Sequence, residues 1–592
     1  MQSWPAPSIE PTERVPRPDS WPTTSEQPVE RVPRTLSWPS PPSPPKPAEL
    51  TSWPEPAWDA PASGHIYMSS PTTARIGDED VIAVGTEAGE VELLDAATGA
   101  ELPGWPRRVA AEPGQPAAVE SSPAIAWLDG AGAPPSIIVG TGSTSVNHGH
   151  TVGEVEAFNL NGTERFVFRV PSIGPGTAEG VISSPGVGDV TGDGQLDVVF
   201  GSWDHELYAL TPEGTLVPGF PVDNLDTIWS SPALYHVRGP ASLDDIFIGS
   251  DASGRDGCFG GFITDYSYAG GKPFIVWQHC EPQTIWSSPA IGLINSTGRP
   301  VVVVGTGFGE TTYAAGSSEL LAFYADDGST VRGWPVATPG PTPGSPAIGI
   351  GPGGRPMIVA TSWNCNGTDE KSCFYANDST VIELTGSGRI VGTAVLAGAT
   401  ALSSPVLVPL RGERTDDILV GAASGLYAIS AKPVHAISAK PVHAHGAHDV
   451  GTLPFLYGIT PGDTIGPDCP VNNSPALVDL PGSGSGSGWH VIDACGGPVA
   501  LNLRAEVMSY RLPVQPKSYE AIWPEFHDMP EHEGVAGDPA PGDPVPAALA
   551  TAPRCVAGTC ARSDPFARPA SVIEAERALA KRAVTGRSAS SG

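Results

Sequence analysis

The chain has 592 residues and a formal net charge of -32, with 71 Gly, 66 Pro and only 16% charged residues. Such an acid excess excludes charge-driven binding to nucleic-acid phosphates and repels anionic membrane surfaces. It suits cationic partners, a divalent metal or simply a solubilised surface. No stretch is long and apolar enough to span a membrane.

Residues 1–60 are Pro-rich and carry a repeat of their own, Ser-Trp-Pro at Ser3, Ser20, Ser37 and Ser52. Proline at this density blocks helix and sheet and favours polyproline II, so the segment reads as a disordered stalk or as a ligand for an aromatic-lined groove. The first residues lack the basic and apolar regions of a signal peptide.

From 61 to 536 the chain repeats a unit seen most clearly at Ser183–Val222. A Ser-Ser-Pro entry leads to a short apolar run and an acidic loop. A β-branched run closed by Gly follows, then an alternating strand and a Gly turn. The entry recurs at Ser69, Ser121, Ser183, Ser230, Ser287 and Ser403, and in altered form at Gly344 and Asn473, with prolines 47 to 70 residues apart. Runs such as VIAVGT, DVVFGS and VVVVGT follow each entry, as expected of strands buried on both faces. Several units also carry a Gly-aromatic-Pro triplet, at Gly104, Gly219 and Gly333. Four short strands cannot bury both faces of one sheet, whereas copies packed around an axis can. The predicted fold is therefore all-β, a single β-propeller of four-stranded blades. Eight entries favour eight blades; pairing across the closure would leave seven. The units are placed near 65–117, 118–178, 179–225, 226–283, 284–340, 341–398, 399–455 and 456–536.

In unit two, His148 and His150 sit in a Gly/Ser insertion and read as solvated loop residues. Unit three holds Asp189, Thr191, Asp193, Gln195 and Asp197, alternate oxygen-bearing residues with Gly192 and Gly194 between them. That spacing suits one structural Ca²⁺, with Gln195 offering its backbone carbonyl; the alternative is an ion-free Asp/Gly turn. The corresponding loops of units two, five, six and seven lose the carboxylate spacing. Units four and five share Thr-Ile-Trp-Ser-Ser-Pro. Their Trp229 and Trp286 pack between blades or, exposed on a propeller face, stack on sugar rings. The eight cysteines fall as neighbours: Cys258 with Cys280, Cys365 with Cys373, Cys469 with Cys495, Cys555 with Cys560. They suggest disulfides and an oxidising compartment, with reduced thiols as the alternative. In unit seven a tandem AISAKPVH duplication gathers His435, His443, His445 and His448, a cluster able to bind metal adventitiously. Residues 537–592 read as a disordered tail with a short helix near 572–584, where Ser571 and Glu574 suit a capping box.

The combination of Ser-Ser-Pro, GDVTGDGQLDVVFGS, LYAL and Gly-aromatic-Pro resembles the FG-GAP/VCBS repeat family of β-propellers, found in integrin α-chain heads and many secreted bacterial proteins. The segment Trp523–Gly534, WPEFHDMPEHEG, is similar to one that accompanies such propellers in bacterial surface proteins. Together the resemblance covers about four fifths of the chain. It implies Ca²⁺ ligation at Asp189, Thr191, Asp193, Gln195 and Asp197. Trp523–Gly534 is expected to return to the sheet and help close the ring, with His527, Asp528 and His532 packing there.

The chain has no G-x-S-x-G elbow, no H-E-x-x-H and no phosphate loop followed by Lys. The expected function is a non-catalytic, exported or cell-surface module, monomeric, binding an extracellular protein or polysaccharide. The alternative is a calcium-dependent polysaccharide lyase on the same fold, whose base would be a lone Lys, Arg or His that no short motif reveals.

Overall fold

The computed structural model describes residues 56–529 and 532, apart from 111–117, 143–152, 172–179, 240–241, 252–257, 259, 308–317, 365–377, 397–401, 411–414, 423–424, 432–450, 453–454, 458–469, 481–487, 497–504 and 513–524. The chain divides into two units, Met1–Glu49 and Leu50–Gly592, and every described residue belongs to the second.

The described residues form eight sheets and no helix. Blade three is the simplest: Gly186–Gly188, Asp197–Gly201, Glu206–Leu210 and Val222–Asp223 pair antiparallel in chain order. The second strand of each blade is buried throughout or nearly so, as at Val301–Gly305, because a neighbouring blade covers each face. Apolar clusters therefore straddle blades: Val187, Phe200 and Tyr208 of blade three pack with Ala126 and Val155 of blade two. Each fully buried side chain of this kind contributes about 1.5–3 kcal/mol of transfer energy. Blade six departs from four strands, since Gly451–Thr452 adds a fifth, parallel to Ile390–Leu396.

Ring closure differs from the expectation. The last blade comprises Ala476–Leu480, Gly488–Cys495, Glu506–Arg511 and, as its outer strand, Trp58–Pro61 from the start of the propeller. Trp58 pairs with Ser509 and Pro61 with Glu506. The Pro-rich composition assigned Trp58 to the stalk, yet its indole donates to the Ala96 carbonyl at 3.0 Å. The Trp523–Gly534 segment adds no strand among its described residues.

The Ser-Ser-Pro entries have a direct physical reason. The second serine of each entry donates its N–H to the hydroxyl of the matching serine one blade on. The relay runs Ser70, Ser122, Ser184, Ser231, Ser288, Ser345, Ser404, Ser474 and back to Ser70, at 2.8–3.0 Å throughout. The first serine accepts the N–H of the glycine closing its own blade's second strand, as in Gly85 to Ser69 and Gly140 to Ser121. That glycine has no room for a side chain: a Cβ on Gly201 would lie 2.1 Å from Cγ2 of Ile228 at the next entry. The three Gly-aromatic-Pro triplets share cis peptide bonds at Trp105-Pro106, Phe220-Pro221 and Trp334-Pro335. They precede the fourth strand rather than end it.

Because every blade is an up-and-down meander, the entries and the turns between second and third strands share one end of the ring. The first-to-second and third-to-fourth turns share the other end.

Candidate functional site

At the second end, the acidic loop of blade three is held by its own backbone. The Asp189 carboxylate accepts N–H bonds from Gly192 at 2.7 Å, Asp193 at 3.1 Å and Gly194 at 2.8 Å. Gly192 and Gly194 adopt φ of 75° and 85°, supplying the curvature read from the sequence. Asp193 accepts from the N–H of Gln195 at 2.9 Å, and Asp197 from that of Thr191 at 3.3 Å. Burial, then the nearby Asp193 charge, push the Asp197 carboxyl up to about 7, with Asp189 adding to the effect. The Thr191 hydroxyl is buried without a hydrogen-bond partner. Among the described residues, no three acidic, histidine or cysteine side chains converge in a metal-holding group.

The loop is braced from blade four, a relationship the sequence reading missed. Asp189 donates its N–H to Asp244 Oδ2 at 2.9 Å, and Asp244 returns its own N–H to the Asp189 carbonyl at 2.8 Å. His236 contacts the other Asp244 oxygen. Asp416 repeats the arrangement on Ile350 of blade six, at 2.7 and 2.8 Å. The sequence signal was the Asp-Asp pair opening two second strands, 244–245 and 416–417.

At the entry end, Trp229 lies between Trp203 and Trp286, with ring centroids 4.6 Å apart on each side. Trp203 is buried, whereas Trp229 and Trp286 are half-buried. The row spans blades three to five, with Trp286 stacked on Trp229 and Trp203 tilted against it. Burial, then the charges of Glu120 and Glu87, push the Tyr67 phenol at this end up to about 12. The Cys258–Cys280 disulfide forms as expected, tying the end of blade four's outer strand to the preceding insertion. Cys495 is also disulfide-bonded. Cys365, Cys373, Cys469, Cys555 and Cys560 lie outside the described residues, as do His148, His150, the blade-seven histidines and the tail helix.

On the axis, the described part of the Trp523–Gly534 segment touches three blades. Glu525 accepts the N–H of Thr73 at 2.8 Å, and His532 Nε2 meets the Thr72 hydroxyl at 3.2 Å. His527 Nε2 lies 2.9 Å from the Pro289 carbonyl, and His532 Nδ1 lies 3.3 Å from that of Pro185. These partners belong to the first strands and entries of blades one, three and five, so the described residues of the segment sit at the centre. Glu525, His527, Asp528 and His532 are all buried. Burial lowers the His527 imidazole to about 4 and, with the His527 charge, that of His532 to about 3.

No model of a protein family matches the chain, and no curated protein matches it. Several solved structures are similar to the chain at low identity. A quinohemoprotein alcohol dehydrogenase from Pseudomonas putida HK5 is 13% identical, covering 79% of this chain and 78% of its own, with a TM-score of 0.45. The Dos1 propeller is 10% identical over 80% of this chain and 98% of its own, with a TM-score of 0.44. The exotype rhamnogalacturonan lyase YesX is 10% identical over 80% and 95%, with a TM-score of 0.40. At these identities and scores the likenesses carry no functional argument.

Proposed function

We propose that this chain is a non-catalytic, exported or cell-surface propeller of the FG-GAP/VCBS kind that binds an extracellular polysaccharide or protein. One observation carries the reading. The axis, where a propeller gathers residues from all blades around a cleft, is occupied by buried Glu525, His527 and His532 bonded to blades one, three and five. Functional surface is then left to the loops at the two ends. The Cys258–Cys280 disulfide and the disulfide-bonded Cys495 support an oxidising compartment.

A structural Ca²⁺ in the blade-three loop belongs to the same proposal. The buried Thr191 hydroxyl without a partner and the Asp197 carboxyl, raised by burial and by the Asp193 and Asp189 charges, fit a cation at this loop. Thr191, Asp193, Asp197 and the Gln195 carbonyl would hold it, with Asp189 keeping the backbone in place. The ion would neutralise the clustered carboxylates and pin the turn.

The test is incubation of the purified chain with a panel of acidic and neutral polysaccharides, with Ca²⁺ and with chelator. Retention without unsaturated-product absorbance is expected. Product formation would replace the binding module with a lyase.

A further inference from the structure

Between blades two and three, at the end away from the entries, lies a groove of about 550 Å³, within the roughly 300–1,000 Å³ typical of small-ligand sites. Its walls come from Trp127–Ala131 of blade two, Gly194–Leu196 of the acidic loop, and the blade-three turn at Pro212 and Glu213. Trp127 follows the first strand of blade two. It packs against the core between blades one and two, remains half-exposed and is among the residues that line the groove. Leu196 and Pro212 continue that apolar surface.

The polar groups are fixed by the fold. Arg165, on blade two's outer strand, holds Asp129 through paired bonds of 2.6 and 2.8 Å, and its Nε donates to the Pro212 carbonyl at 3.0 Å. One side chain thus ties the two walls together, and the guanidinium holds the Asp129 carboxyl below its ordinary range. Bidentate pairing of this kind fixes geometry as well as charge. Glu213 and the Gln195 amide face solvent at the rim.

We infer that this groove is a binding site for a neutral oligosaccharide segment, with Trp127 as the stacking platform and Asp129, Gln195 and Glu213 as hydroxyl partners. The inference rests on the binding-module reading above and locates its ligand. The chemistry follows from the lining. A half-exposed indole beside a fixed carboxylate, a rim carboxylate and an amide matches a ring that is apolar on its C–H faces and polar at its edge. Arg165 pairs with Asp129 and also feels the charge of Glu213, so the two lining carboxylates are partly offset. A groove of that charge favours a polyol over a cationic peptide, despite the acid excess of the whole chain.

The full chain is printed against immobilised neutral and acidic glycans, with hexalysine as the cationic control, and compared with Trp127→Ala, Glu213→Ala and Trp286→Ala. Retention on neutral glycans is expected. It should fall about thirtyfold in Trp127→Ala, as for a central aromatic anchor, and about fivefold in Glu213→Ala, the worth of one hydrogen bond. Trp286→Ala should bind as the parent does. Glu213 is exposed, so its variant keeps the parent melting temperature and separates lost binding from lost folding. Binding that survives both groove substitutions, or that vanishes in Trp286→Ala alone, overturns the site while leaving a binding module. Capture by hexalysine, or by no neutral glycan, overturns the ligand class. Unsaturated product would instead overturn the non-catalytic reading itself.

Discussion

The backbone N–H of Ser474 donates to the hydroxyl of Ser70 at 3.0 Å, across 404 residues of sequence. It is the eighth bond of a circle whose other seven join consecutive blades, and it falls within their range of 2.8–3.0 Å. Closure thus has two seams, the Trp58–Pro61 strand at the rim and the serine circle near the axis. Replacing Ser70 by Ala leaves a buried N–H without its acceptor, which costs about 1–3 kcal/mol. Ser122→Ala breaks an equivalent link away from the closure. Equal losses in denaturant titrations are expected if the circle acts as one set of inter-blade staples. A neutral Ser122→Ala would mean that it does not.

Blade six carries the exception that explains the rule. Its entry has Gly344 where six blades have serine, and its second strand has Thr361 where they close on glycine. The hydroxyl has moved across the gap: Thr361 donates to the Ser403 carbonyl at 3.2 Å, as Ser69 does to Ser121 at 2.9 Å. A Cβ on Gly344 would lie 2.7 Å from the Thr361 hydroxyl. Gly344→Ser and Thr361→Gly should each destabilise, and the double variant should recover most of the loss. A coupling of about 1 kcal/mol or more is expected for residues in direct contact. Additive losses in the double-mutant cycle would sink the compensation.

That pair also marks what the sequence could and could not disclose. The eight blades were legible because Ser-Ser-Pro, the glycine-closed strand and the display strand recur in fixed order, each for a local reason of packing or hydrogen bonding. Trp58–Pro61 was not, because four residues beside a Pro-rich run carry no period, and their partners lie at Glu506–Ser509. The packing of His527, Asp528 and His532 was legible, but their place was not: the partners of His527 at Pro289 and of His532 at Pro185 lie far away in sequence. The curvature of the acidic loop was readable from its glycines. Its brace from Asp244 was marked only by the Asp-Asp pair at 244–245 and 416–417, which does not by itself tell a carboxylate aimed at a neighbouring blade from one aimed at an ion. Trp127 passed unnoticed because its loop looks like a degenerate copy of the acidic one.

If Ca²⁺ occupies the blade-three loop, chelation should lower the melting temperature of the parent and not of Asp193→Ala. The stabilisation lost is about 2.7 kcal/mol when the ion stands at a hundred times its Kd. Thermal melts with Ca²⁺, with Mg²⁺ and with chelator measure it. Identical curves for the parent in all three would remove the ion from the structure.

The buried carboxylates set the pH dependence. Burial raises Glu156 and Glu383 to about 8, and Asp416 and Asp493 to about 7. A carboxyl with a raised folded pKa is protonated in the folded chain and ionised in the unfolded one. Its stabilising contribution is whole below pH 4 and is lost as pH rises through 7 to 8. His527 and His532 act oppositely. With folded values near 4 and 3, their contribution is whole above the ordinary histidine value and is lost as pH falls. The carboxylates outnumber the imidazoles, so stability should be greater at pH 5 than at pH 8. Asp493, fully buried on the second strand of blade eight with neither oxygen hydrogen-bonded, should account for about 2 kcal/mol of the difference. Denaturant unfolding at the two pH values, for the parent and for Asp493→Asn, measures both. The variant should flatten the slope. Greater stability at pH 8 would mean that these carboxyls are ionised in the folded chain.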